Sequence, residues 1–210
     1  MNPDKNQIES NLRLHVDRLA GLIGPRYLQR HKTIQARIGY IEGQWAGMGY
    51  KNSHECYDAI VDQATNLIVE QSGSKRADEI ILLGAHYDTA YSTPGADDNA
   101  STVAVLLEVS RLLREHQSKR TIRYVAFACE EPPYFNVDSM GSQYHARQSR
   151  LRGDNSSFWD QGYPALMLTD TCFLRNPNYH RATDTPDTLD YQRMTEVTIG
   201  VASALRFLSD

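Results

Sequence analysis

Apolar residues at Ile8, Leu12, Leu19 and Ile23 recur along one helical face, and Gly24-Pro25 stops the run. Ile34, Ile38, Ile41 and Trp45 repeat that spacing, with Gly47 and Gly49 closing the second helix. The period then shortens. Asn66 to Glu70 is a short strand candidate, Ser72-Gly73-Ser74 its turn, and Glu79 to Ala85 the next strand. Within that strand Ile80-Ile81-Leu82-Leu83 is apolar without alternation, which predicts cover on both faces. Val103 to Leu113 reads as a helix, Thr121 to Ala128 and Ala165 to Leu168 as strands, and Leu189 to Leu208 as a closing helix. Strands alternating with helices predict an α/β fold: a three-layer sandwich with a mostly parallel central sheet and helices on both faces. No repeat, low-complexity tract or linker interrupts the pattern, so residues 1–210 read as one domain.

Composition narrows the class. The chain is 40% hydrophobic and 23% charged, ordinary for a globular protein, with a net charge of −4. No Lys/Arg run supplies a footprint for nucleic acid or an anionic membrane, so neither is expected as a partner. No stretch approaches the roughly 18 apolar residues of a membrane span, and Met1 to Ser10 lacks the apolar core of a signal peptide. Cys56, Cys129 and Cys172 are few and odd in number, which argues against a disulfide framework and for a reducing, cytoplasmic location.

Candidate chemistry gathers where strands end. In open α/β sheets ligands bind beyond the carboxyl ends of the strands. His86 closes one apolar run and Glu130-Glu131 closes another. Asp88, two residues beyond His86, could accept from the second ring nitrogen of a metal-bound imidazole, or could cap a turn. Asp97 and Asp98 follow the loop signal Pro94-Gly95; helix capping is the plain reading, yet a carboxylate can also bridge two metals, and Asp98 is the better candidate. Adjacent carboxylates repel, so Glu130-Glu131 is costly unless a cation sits nearby; one can ligate while its neighbour stays free as a base. Tyr179 could donate to a developing oxyanion or simply pack. Asp184, following His180, could orient a ligand or begin a turn at Thr185-Pro186.

Together these segments resemble the M28 family of zinc metallopeptidases, chiefly its bacterial aminopeptidases. Ala85-His86-Tyr87-Asp88, Pro94 to Ser101, Glu130-Glu131 and His180 to Thr185 match in order and spacing, as does Trp159 to Pro177. The resemblance implies that His86 binds one zinc, Asp98 bridges two, and Glu131 and His180 bind the other. Glu130 is then the general base, Tyr179 an oxyanion-stabilising group, and the reaction the removal of an N-terminal residue from a peptide. The family also supplies a further carboxylate to the zinc held by His86, on a strand that precedes the Trp159 segment. Here Tyr144 to Arg152 runs almost straight into Ser156-Ser157-Phe158-Trp159 with no strand-like run between, so that segment and its ligand are expected to be missing. Asp154 is the candidate substitute. A lost strand leaves a sheet edge to be covered, so a homo-oligomer or a rearranged sheet is expected. One or two zinc ions are expected, the Asp98, Glu131 and His180 site being the stronger. Two other functions share this fold: a glutaminyl cyclase working with a single zinc held by an Asp, a Glu and a His, and a catalytically impaired peptidase-like binding protein.

Overall fold

The structure, a computed structural model, describes residues 3–60, 62–135, 137–148 and 158–210. Among them one sheet forms from β1 (Ser53–Asp58), β2 (Gln63–Gln71), β3 (Arg76–His86) and β4 (Arg120–Phe127), in the order β1-β2-β4-β3. β1 pairs with β2 and β2 with β4 antiparallel, while β3 and β4 run parallel. The sheet is therefore mixed, which corrects the expectation of a mostly parallel one. Connection length explains it. Only residues 59–62 separate β1 from β2, room for a hairpin and nothing else, whereas β3 and β4 are joined through the helix α3 described below. β1 itself escapes the apolar pattern because it is polar, with only Tyr57 buried.

The α-helices among the described residues are α1 (Lys5–Val16), α2 (His31–Gly47), α3 (Thr102–Leu113), α4 (Gly141–Gln148), the short α5 (Cys172–Arg175) and α6 (Tyr191–Ser209). The first apolar run continues past α1 as a wider turn, Asp17–Ile23, and stops at Gly24, whose φ of 72° suits a residue without Cβ. Asp4 caps α1, accepting from the amides of Asn6 and Gln7, and Asp190 caps α6 through Arg193 N–H.

Strand alternation divides the core into two layers. Leu67 and Val69 of β2 and Ile122, Tyr124 and Ala126 of β4 face α1, α2, α3 and α6, meeting Leu12, Trp45, Leu107 and Leu205. Val125 and Phe127 face the opposite way, onto Ala146 of α4 and the rings of Phe158 and Tyr163. Helices thus lie on both faces, and the three-layer sandwich is present. Each fully buried Leu or Ile contributes about 1.5–3 kcal/mol of hydrophobic stabilisation, so the thicker layer, with Ile8, Leu12, Ile41, Leu106 and Leu107, dominates stability.

Two local expectations change. Ile80 to Leu83 is only half-buried, because β3 lies at the sheet edge and pairs with β4 alone among the described residues. Ala165 to Leu168 is not a strand: Leu166 is 75% exposed and no ladder includes it. Among the described residues no helix is long and apolar enough to cross a membrane. Cys56 and Cys129 are free thiols.

Candidate metal centre

The parallel pair β3–β4 sets the site. Both strands end at the same edge of the sheet, and the amide of Tyr87 donates to the carbonyl of Phe127 at 2.9 Å, locking the two ends together. His86 is the last residue of β3, and Glu130-Glu131 follow the end of β4 by three residues. Asp98 enters from the turn before α3, and His180 from the loop before α6. His86 Nε2 lies 3.2 Å from Asp98 Oδ1 and 3.8 Å from Glu130 Oε2. His180 Nε2 lies 3.2 Å from Asp98 Oδ2 and 3.1 Å from Glu131 Oε2. Asp98 therefore sits between the two imidazoles, one oxygen towards each. Ligand atoms of Asp98, Glu131 and His180 all fall within 4.8 Å of one another.

Two buried carboxylates aim these groups through the backbone. Asp88, 2% exposed, accepts from Glu130 N–H at 3.2 Å and Glu131 N–H at 3.1 Å. Its Oδ1 also lies 3.4 Å from His86 Nδ1, close enough for charge attraction but outside hydrogen-bond geometry. Asp184, with no exposed surface, accepts from Asp97 N–H at 2.9 Å and Asp98 N–H at 3.3 Å, while its carbonyl accepts from Ala96 N–H. Asp184 thus orients a ligand-bearing loop rather than only starting a turn. Asn176 Nδ2 donates to Asp97 Oδ2 at 2.7 Å, which turns that carboxylate away and leaves Asp98 facing the histidines. Backbone strain accompanies the arrangement: His180 and Cys129, the residue before Glu130, have φ of 56° and 59°, left-handed values that non-glycine residues rarely adopt.

Charge is crowded here. Burial, reinforced by the Asp98 charge, pushes Glu131 up to about 9. Burial also raises Glu130, with Asp88 and Asp98 adding to it against the pull of His86. Burial acts on Asp98 in the same direction, but the hydrogen bond and charge of His86 and the charge of His180 outweigh it and hold Asp98 low. His86 is driven well above its ordinary value; burial opposes this, and the adjacent carboxylates of Asp88, Asp98 and Glu130 prevail.

These residues fit a divalent cation. Glu131 Oε1 is buried with no hydrogen-bond partner among the described residues, so an acceptor points at no protein donor. A carboxyl this reluctant to ionise becomes a good ligand once a cation arrives to offset its neighbours. Imidazole and carboxylate donors suit zinc, manganese or cobalt.

Tyr179 stacks on the His180 ring at 3.8 Å between centroids, and Phe173 meets Tyr179 edge-on at 6.3 Å. Phe173 and Phe135 are exposed, not core. Asp154, the candidate substitute ligand, lies outside the described residues. One anchoring residue escapes a reading by motif: Arg26, which follows the helix stop Gly24-Pro25 and is buried beneath the site. Its only sequence signal is a charged residue at the end of an otherwise apolar run.

Residues 66–152 match the model of peptidase family M28. The protein YfbL of Escherichia coli is 32% identical over 213 aligned residues, covering 60% of this chain and 66% of its own length. Aminopeptidase YwaD of Bacillus subtilis is 43% identical over 137 residues, 50% of this chain and 30% of its own. A probable zinc metalloprotease of Pyrenophora tritici-repentis is 35% identical over 88 residues, 38% of this chain and 20% of its own. The chain therefore spans less than two thirds of each of these relatives. Among solved structures, a Zn-dependent exopeptidase from Parabacteroides distasonis superposes with a TM-score of 0.78 at 16% identity, over 98% of this chain and 99% of that one. A glutaminyl cyclase from Fimbriiglobus ruber gives 0.77 at 15%, over 98% and 96%. At such identities the likeness establishes the shared fold. The match to the model of peptidase family M28 runs through three of the motif segments, those of His86, Asp98 and Glu130-Glu131, which the fold assembles with His180 at one sheet edge.

Proposed function

We propose that this protein is a zinc-dependent exopeptidase that removes N-terminal residues from peptides. The observation that carries the reading is the convergence of Asp98, Glu131 and His180 within 4.8 Å, beside a Glu130 that no ligand role requires. Asp98, Glu131 and His180 would hold one zinc, and His86 with Asp98 would offer a weaker place for a second. A zinc ion there supplies Lewis acidity and lowers the pKa of a bound water. Glu130 accepts the proton of the attacking water and returns it to the leaving amine. Burial raises its pKa above that of a free carboxylate, the direction that favours taking up the proton. Asp88 holds Glu130 in place through the backbone amide. Tyr179, braced on the His180 ring, donates to the oxyanion that develops on the scissile carbonyl. The cluster of carboxylates also attracts the free amine of the substrate.

Replacing Glu130 with glutamine tests the reading. Hydrolysis of a leucyl chromogenic amide is expected to fall by about 10²–10⁴-fold, with zinc content unchanged. Hydrolysis at the parent rate would remove Glu130 from the mechanism.

The three-residue donor set favours a second reading, a single-zinc glutaminyl cyclase. Pyroglutamate formed from an N-terminal glutamine peptide, with no free amino acid released, would establish it. Zinc binding without turnover of either substrate would leave a peptidase-like binding protein.

A further inference from the structure

We propose that Arg26 is a positioning residue of the metal centre, acting as a clamp on the carbonyls that flank His86 and Asp98. The inference rests on reading Asp98, Glu131 and His180 as metal ligands. Arg26 is 1% exposed, yet every nitrogen of its guanidinium is engaged. Nε donates to the carbonyl of Tyr87 at 3.2 Å, the residue after His86. Nη1 donates to Pro94 at 2.7 Å and also to Leu19 and Gly24, at 2.9 and 3.1 Å. Nη2 donates to Gly95 at 2.8 Å. The Arg26 amide donates to Thr89 Oγ1 at 2.9 Å. One planar fork thus joins the end of β3 to the loop that delivers Asp98.

The loop is pressed against that fork. Gly95 has φ of 62°, and a Cβ there would lie 3.0 Å from Arg26 Nη2, 2.5 Å from Asp98 O and 2.4 Å from Thr89 Cγ2. Asp184 grips the same loop from its other side, through the amides of Asp97 and Asp98. Carbonyls held by a cation and amides held by an anion leave the Asp98 carboxylate little freedom to leave the histidines. The charge also matters. Asp88, Asp184 and Asp98 all favour the guanidinium, although burial and the nearby Arg37 lower its pKa to about 9. Lysine could carry the charge but not the fork, whose donors diverge in one plane.

The test is zinc affinity, by competition with a chromophoric chelator, together with the visible spectrum of the cobalt-substituted protein. Arg26→Lys and Arg26→Gln are expected to weaken zinc about 10–100-fold, as loss of an outer partner does, and to change the cobalt bands. Arg37→Met is the comparator. Arg37 is equally buried and lies 4.7 Å over the Tyr87 ring, but it has no hydrogen-bond acceptor among the described residues and holds no loop. Its loss should leave affinity and spectrum unchanged. Thr89→Val, which removes only the acceptor of the Arg26 amide, keeps the question answerable should the Arg26 variants not fold; it should weaken zinc by less. Parent-like affinity and spectrum in Arg26→Lys or, if the Arg26 variants do not fold, in Thr89→Val, or an equal loss in Arg37→Met, would overturn the clamp. A parent protein that binds no zinc would overturn the metal-site reading, and this inference with it.

Discussion

Asp88→Asn removes a single acceptor oxygen and one charge from the base of the site. Each Asp88 oxygen now takes one backbone N–H, from Glu130 at 3.2 Å and Glu131 at 3.1 Å. An asparagine has one oxygen, so its NH₂ group must face the other N–H. One hydrogen bond to a charged acceptor is lost, worth about 1.5–3 kcal/mol, and a buried donor is left unpaired at about 1–3 kcal/mol. Removing the charge would relieve repulsion of Glu130 and Glu131 but forfeit attraction to His86. Burial alone would raise Asp88, yet its pKa is lowered, with His86 foremost among the causes, so the surroundings favour the carboxylate on balance. The charge change therefore adds to the loss. The expected sum is about 3–5 kcal/mol, or a fall of about 1–2 M in the urea midpoint. Unfolding of chelator-treated protein at neutral pH, followed by the fluorescence of the buried Trp45, measures it. Because the folded pKa lies below the ordinary 3.8, the contribution is complete above that value and disappears as pH falls through the folded pKa. Parent and variant should converge in strong acid. An unchanged midpoint at neutral pH would refute the account of how the glutamate pair is held.

Glu108 makes a similar case away from the site. Burial would raise its pKa, but His15 and Arg111 hold the carboxylate, which also accepts from Asn11, below the usual 4.5, so its contribution is full above that value and lost below it. Glu108→Gln should lower neutral-pH stability by about 3–5 kcal/mol, as breaking a buried ion pair does, with the gap to the parent closing below pH 4.5 in urea titrations. Leu107→Ala should cost about 2–5 kcal/mol by the same assay, since Leu107 is fully buried under the sheet, and zinc affinity should not change. Tyr179→Phe should lower kcat with little change in KM if the hydroxyl meets the developing oxyanion; parent kcat would assign Tyr179 to packing on His180 alone. The outer edge of β3 is expected to pair with a second copy of the chain: antiparallel pairing about Ile81 sets Ile80 opposite Leu82 and no acid opposite another. Light scattering should show a dimer that Leu82→Lys dissociates; a monomeric parent would rule this out.

The site was legible because its chemistry is written as adjacent residues. His86-Tyr87-Asp88, Asp97-Asp98, Glu130-Glu131 and His180 stand out as titratable groups at the ends of apolar runs, and the fold brings them together. What holds them was harder to see. Asp184 works through two backbone amides and Arg26 through carbonyls, interactions that leave no pattern in the sequence beyond a charge near a glycine. Helices α1, α2, α3 and α6 were legible for the ordinary reason that each has one apolar face. β1 was not, since five of its six residues escape full burial. Ala165 to Leu168 shows the converse failure: the run is short and apolar, but it has no β-branched or aromatic residue and no described strand lies in register with it.

The most direct measurement is zinc per chain, by elemental analysis, after chelation, re-addition of zinc and removal of the excess, in the parent and in His180→Ala. The parent should hold at least one zinc tightly and lose it when His180, whose Nε2 lies between Asp98 and Glu131, is removed. A parent protein that retains no zinc, or a His180→Ala variant that retains as much as the parent, would contradict it.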